Sequence, residues 1–275
     1  MTLRIIDTFS GIGGFSLAAR WLGGFQTVQF IEWEPYCQQI LAQHFPDTPI
    51  HGDITTFFPA AGAADVICGG FPCQDISTAG KQAGIKQGTR SGLFYELMRV
   101  IRTVQPRYVV MENVAAILTN GLDTVLGELA KAGFDAEWAC IPASAVGACH
   151  QRDRWWLVAY SNRWDGQSGQ VARSAIHEQA ACQGANGDAG SADEVGGDAA
   201  NASGARLERS EHSQWRITQQ LCPNWGGYLS QPVLCRGDDG LSGRVDRLKA
   251  LGNAVVPQVA MIPLQRVLDH HCAQQ

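Results

Sequence analysis

Asp65-Val66-Ile67-Cys68-Gly69-Gly70-Phe71-Pro72-Cys73-Gln74-Asp75-Ile76-Ser77 is a short apolar run that breaks off abruptly. Val66 to Cys68 reads as a buried strand, and Gly-Gly followed by Pro is a sharp exit from it. Glycine admits dihedrals closed to other residues, and Pro72 fixes φ one position ahead of a thiol. Cys73 is therefore expected on a rigid loop at the end of a strand, where open α/β sheets carry their chemistry. On these residues alone two readings stay open. Cys73 is a nucleophile, or it is the small buried hydrophobe that a free cysteine usually is.

Downstream, Ser77-Thr78-Ala79-Gly80-Lys81-Gln82-Ala83-Gly84 is small, polar and glycine-rich, which suits a lid as well as a plain surface loop. Leu93, Phe94, Leu97, Met98 and Ile101 recur at helical spacing, and Pro106 closes that helix. Tyr108 to Met111 reads as a buried strand ending in Glu112-Asn113-Val114. A carboxylate placed there would be desolvated and its pKa raised, which suits an acid; the plainer alternative is a charge at a helix N-terminus. Further strands are expected over 134–141 and 155–160, with His150-Gln151-Arg152-Asp153-Arg154 between them.

Upstream, Leu3 to Asp7 reads as a first strand, running into Thr8-Phe9-Ser10-Gly11-Ile12-Gly13-Gly14-Phe15 and a helix. Strand, glycine turn and helix make a nucleotide-type cradle, although the spacing is not Gly-x-Gly-x-x-Gly and a tight turn would explain it too. Val28 to Ile31 is the next strand, and Glu32-Trp33 at its end offers a carboxylate for ribose hydroxyls and a flat face for adenine. Pro35 to Phe45 follows as a helix, and 50–54 as a strand end carrying Asp53.

The chain has 275 residues, a formal charge of −5 and 45% hydrophobic residues, enough for one large domain or a large and a small one. No apolar run is long enough to span a membrane, and the N-terminus lacks a signal-peptide layout. Nine scattered cysteines without a CxxC pair read as reduced thiols, with no structural zinc. Basic residues cluster locally, at Lys81, Lys86 and Arg90, at Arg152 and Arg154, and at Arg236, Arg244, Arg247 and Lys249. From 161 to 220 Ala, Gly, Ser, Asn and Gln dominate, a composition that buries little apolar surface.

Asp7-x-Phe9-x-Gly11-x-Gly13-Gly14, Glu32-Trp33, Asp53-Ile54, Phe71-Pro72-Cys73-Gln74, Glu112-Asn113-Val114 and Gly252-Asn253-Ala254-Val255 together resemble the ordered motifs of the DNA (cytosine-5)-methyltransferases of bacterial and phage type. His150 stands where that family's Gln-x-Arg-x-Arg pattern has Gln. The resemblance implies a Rossmann-like α/β sheet with helices on both faces. It implies a catalytic and cofactor-binding domain over 1–160, an irregular target-recognition region over 161–243, and a C-terminal segment, 244–275, returning to the catalytic domain.

It further implies methyl transfer from S-adenosylmethionine to C5 of a flipped-out cytosine in double-stranded DNA, with Cys73, Glu112, Arg152 and Arg154 as the catalytic set. In that expectation Arg152 contacts the base O2 and Arg154 supports the site. Phe9, Gly11, Gly14, Glu32, Trp33, Asp53, Ile54, Leu93, Asn253 and Val255 would line the cofactor pocket. Phe71, Pro72, Gln74, Ser77 and Lys81 would meet the nucleic acid. A monomer in a bacterial or phage-infected cytoplasm is expected, with a cognate restriction endonuclease as a separate partner. A tRNA cytosine-5 methyltransferase and an inactive DNA-binding regulator are the alternatives; a nicotinamide oxidoreductase, suggested by the glycine turn alone, leaves the Pro-Cys-Gln and Glu-Asn-Val segments without a role.

Overall fold

The middle strands of the chain are apolar at nearly every position, which is the pattern of a sheet covered on both faces. A computed structural model describes residues 2–72, 92–163 and 244–275 and shows that arrangement. The strands are β1 (Leu3–Thr8), β2 (Phe25–Ile31), β3 (Ile50–His51), β4 (Val66–Gly69), β5 (Tyr108–Val114), β6 (Phe134–Pro142) and β7 (Asp153–Ser161). Among the described residues they form one sheet in the order β3-β2-β1-β4-β5-β7-β6. The first five are parallel, and β7 runs antiparallel between β5 and β6.

Side-chain parity sorts the core into two layers. Leu3, Ile5, Val66, Cys68, Tyr108, Val110, Trp156 and Val158 face one side, with helices α1 (Gly14–Leu22) and α7 (Pro257–Ala273) packed against them. Ile6, Ile67, Val109, Met111, Trp155 and Leu157 face the other, under α3 (Leu93–Val104) and α5 (Leu122–Lys131). On α3 the buried residues Phe94, Leu97, Met98, Ile101 and Val104 follow the helical period, and each contributes roughly 2 kcal/mol by leaving water. At the far edge α2 (Pro35–His44) covers β2 through Leu41, with Phe30 and Phe45 in edge-to-face contact. No helix among the described residues is long and apolar enough to cross a membrane.

Several boundaries differ from the sequence reading. β2 begins at Phe25 rather than Val28, because Leu3 to Ile5 pair with Phe25 to Thr27 despite their polar neighbours. β3 stops at His51, and Asp53 instead caps a single 3-10 turn by accepting from the Thr55 amide at 2.9 Å. β5 continues through Glu112 to Val114, since β7 goes on pairing after β4 has ended at the Gly69–Met111 level. A short helix α4 (Ile117–Asn120) precedes α5, and a helix α6 (Arg244–Asn253) precedes α7. The expected target-recognition region lies, beyond its first residues, outside the described residues.

Candidate active site

The parallel strands β1, β2 and β4 end at one edge of the sheet, and every motif singled out above that the structure describes clusters there. On the β1–β2 side, backbone amides organise the turn. Glu32, just past β2, accepts from the Gly11 amide at 2.7 Å with one carboxylate oxygen and from the Glu34 amide at 2.8 Å with the other. Burial raises its pKa against those two hydrogen bonds. Gln38 on α2 donates to the Glu32 carbonyl at 2.6 Å. Phe9 adopts a left-handed φ of 51°, an uncommon conformation for a non-glycine residue, and packs half-buried against the core.

Beside this turn Trp33, Gln38, Gly52, Asp53 and Thr56 line an open cleft of about 410 Å³. Trp33 is 73% exposed there, a flat apolar face turned to solvent. Ile54 differs from expectation: its side chain is buried in the core, so the turn that carries it borders the cleft while the side chain does not line it. Leu93 opens α3 and packs on the same core cluster. Gly11 has φ 54° and open space around it, whereas the tight approach falls at Gly14. A Cβ on Gly14 would sit 2.7 Å from the Val255 carbonyl oxygen, so only glycine lets the returning C-terminal segment seat on this turn. Asn253 is exposed beside it.

The β4–β5–β7 side is built from side chains. Glu112 lies on the α1/α7 face of β5, opposite Trp156 of β7. Arg154 pairs with Val114, two positions along, and diagonal neighbours of an antiparallel pair are within reach of long side chains. Its Nε lies 3.0 Å from Glu112 Oε1. Burial nonetheless pushes the Glu112 carboxyl up to about 7, the attraction of Arg154 and then Arg152 offsetting only part of the desolvation. A Cβ on Gly70 would meet Glu112 Oε2 at 2.8 Å, so the Gly69-Gly70 exit passes directly over this carboxyl on its way to Cys73. Cys73, Gln74, Ser77 and Lys81 themselves lie outside the described residues.

Two expectations for this side change. Phe71 does not face outward: it is buried, 5.1 Å from the Phe94 ring, and anchors the loop instead, while Pro72 is half-buried after it. Arg152 lines the same small cavity as Glu112 but commits its Nη2 to the carbonyls of Gly252 at 2.9 Å and Ala254 at 2.7 Å; it is Arg154 that grips the glutamate.

Sequence reasoning gave no role to three residues that the structure puts to use. Asn113 donates to the Phe71 carbonyl at 3.1 Å and so holds the backbone that leads to Cys73. Gln38 was hidden in an ordinary helix. Asp7, fully buried beneath the glycine turn, accepts from the Ser16 hydroxyl at 2.7 Å. A charge closing an otherwise apolar strand was the available signal for Asp7.

A sheet of this order, with a cleft at the end of β2 and a buried glutamate near the end of β5, is an open α/β sheet that gathers its polar groups at the strand ends. A solved Entamoeba histolytica methyltransferase, EhMeth, shares the fold with a TM-score of 0.51 at 15% identity, over 61% of this chain and 55% of that one. The family model described as C-5 cytosine-specific DNA methylase matches residues 3–223, and the chain belongs to that family. It is 34% identical over 165 residues to the type II methyltransferase M.CviJI of Paramecium bursaria Chlorella virus IL3A, covering 58% of this chain and 43% of the relative. Against the type II methyltransferase M.HhaI of Haemophilus parahaemolyticus it is 33% identical over 165 residues, covering 58% of this chain and 50% of the relative. The chain thus spans about half the length of these curated relatives or less.

Proposed function

We propose that this chain methylates C5 of a cytosine in double-stranded DNA, with S-adenosylmethionine as methyl donor and Cys73 as nucleophile. The observation that carries the reading is Glu112: a buried carboxyl with its pKa near 7, gripped by Arg154 and lying under the glycine exit that leads to Cys73.

The chemistry follows from the base. Cytosine C5 is a poor nucleophile within its ring. Addition of the Cys73 sulfur to C6 makes C5 enamine-like, which is covalent catalysis. A glutamic acid that keeps its proton near neutrality can donate it toward the ring N3 and accept from the exocyclic amine, stabilising the charge that develops as sulfur adds. In this reading Arg154, whose ion pair with Glu112 supports it, faces the base. C5 would then take the methyl group, the donor departing as its neutral thioether, after which loss of the C5 proton to solvent and departure of Cys73 as thiolate would restore aromaticity. Inside a duplex no side chain reaches C6, so the base must be flipped out. The residues from Ser77 on, with Lys81, would close over it.

The cleft suits S-adenosylmethionine: the exposed Trp33 face for adenine, Asp53 beside it, and Glu32 for the ribose at the glycine turn. When bound, the cofactor supplies an electrophilic methyl group. Phe9, Gly11, Leu93, Asn253 and Val255 complete the surrounding wall in this reading. Residues 161–243 would read the target sequence.

Transfer of labelled methyl groups from S-adenosylmethionine to duplex DNA and to tRNA, compared side by side, tests the substrate. Label on DNA at C5 of cytosine is the expected result, and label on tRNA alone would overturn it. Cys73→Ala should abolish transfer while cofactor binding survives; near wild-type turnover in that variant would refute the covalent mechanism.

A further inference from the structure

We propose that Arg152 is a positioning residue that latches the C-terminal segment over the cofactor site, and that it is not a ligand of the target base. The inference rests on the cofactor reading above and changes the role expected for this arginine.

Arg152 sits just before β7 with φ 41°, a left-handed conformation that takes it out of the regular strand geometry Arg154 follows. Its Nη2 donates to the carbonyls of Gly252 at 2.9 Å and Ala254 at 2.7 Å, the second bond partly buried. These two carbonyls belong to the end of α6 and the link to α7, where a helix leaves its last carbonyls without intrahelical donors. A guanidinium is suited to the task, since it carries a fixed fan of N–H groups and no acceptor.

The latched segment is the one that reaches the cofactor turn. Val255, one residue past Ala254, places its carbonyl against Gly14. Lys249 on α6 forms an ion pair with Glu34, immediately after Trp33. The segment is therefore tied at one end beside the adenine face, seated at its middle on the glycine turn, and pinned from the far side by Arg152. Val256 and Val259 then share a small cavity wall with Glu112, Arg152 and Arg154. A displaced segment would loosen the cofactor turn and one wall of the base pocket together.

Arg152→Ala and Arg154→Ala separate the two arginines. In cofactor-free protein, amide hydrogen exchange over 250–257 should accelerate in Arg152→Ala and stay at the wild-type rate in Arg154→Ala. S-adenosylmethionine affinity, measured by calorimetry without DNA, should fall roughly tenfold or more in Arg152→Ala, as expected for losing charge-assisted hydrogen bonds. It should be unchanged in Arg154→Ala, whose defect is in turnover on DNA. Arg152→Lys keeps a cation able to donate to the carbonyls and should recover part of the affinity. Should Arg152→Ala fail to fold, Arg152→Gln carries the same comparison. Wild-type exchange and wild-type cofactor affinity in the Arg152 variant would overturn the latch. A wild-type protein that binds no S-adenosylmethionine would refute the cofactor reading instead, and the exchange comparison would still decide the latch.

Discussion

Glu32 and Glu112 are two partly or wholly buried carboxyls near strand ends on the same edge of the sheet, and they are held in opposite ways. Both Glu32 oxygens accept from backbone amides, of Gly11 and Glu34. Glu112 is held by the side chain of Arg154, with the charge of Arg152 nearby, and is buried. A carboxylate fixed by the main chain is preorganised whether or not a ligand is present. One fixed by a single guanidinium can exchange that partner for part of a substrate. On the proposed function, the contrast divides the site into a rigid half for the cofactor and a half for the base whose polar groups are available for chemistry.

The largest test of that division is Glu112→Gln. The amide preserves shape and can still donate, but it cannot hold or pass a proton. Turnover on DNA should fall by roughly 10²–10⁴, while S-adenosylmethionine affinity stays at the wild-type value. The wild-type kcat/KM should lose its acid-dependent component as pH rises through about 7, where the Glu112 proton leaves. The glutamine variant should show no such loss. A variant with normal turnover, or with an unchanged alkaline limb, would remove Glu112 from the chemistry.

Gly14→Ala probes the other half and should have a smaller effect. The added Cβ would meet the Val255 carbonyl at 2.7 Å, and that contact is with backbone, so the C-terminal segment must move. Cofactor affinity should drop, and turnover at saturating cofactor should fall less than in Glu112→Gln. Equilibrium binding and kinetics at high cofactor concentration separate the two. If Gly14→Ala binds cofactor normally, the segment does not set the pocket.

How much of this was legible in the sequence depends on the kind of signal. Strands announced themselves because the sheet is buried on both faces, so Val66 to Cys68 and Tyr108 to Met111 are unbroken apolar runs. The desolvation of Glu112 followed from the same pattern. What stayed hidden depends on register and on contacts between distant residues. Phe25 to Thr27 look like a loop until β1 pairs with them. The destination of Phe71 depends on α3 lying beneath it, and the commitment of Arg152 on a segment 100 residues later in the chain. The two arginines are two positions apart and share a residue type, so no local pattern could divide their roles.

Asp7 supplies the last and smallest perturbation, a third buried carboxyl beneath the turn that Glu32 organises. One oxygen accepts from Ser16, which in turn accepts from Thr27 at 2.9 Å; the other has no hydrogen-bond partner among the described residues, and the Cys68 thiol lies near the carboxyl. Burial above all, with a contribution from the charge of Glu32, pushes its pKa from 3.8 to about 7. The folded protein therefore keeps a proton that the unfolded chain gives up between those values. Its contribution to stability is fully present below about 4 and is lost as pH rises toward 7, beyond which the loss is complete. Asn cannot titrate and can still bond Ser16. Asp7→Asn should consequently gain on the wild type by a few kcal/mol as pH rises from about 4 to about 8, read by chemical denaturation at several pH values. The glycine turn and its hold on Glu32 should persist, leaving cofactor affinity near normal. Parallel stability curves for the two proteins would mean that Asp7 is already ionised in the fold, and that the turn rests on a charge rather than on a proton.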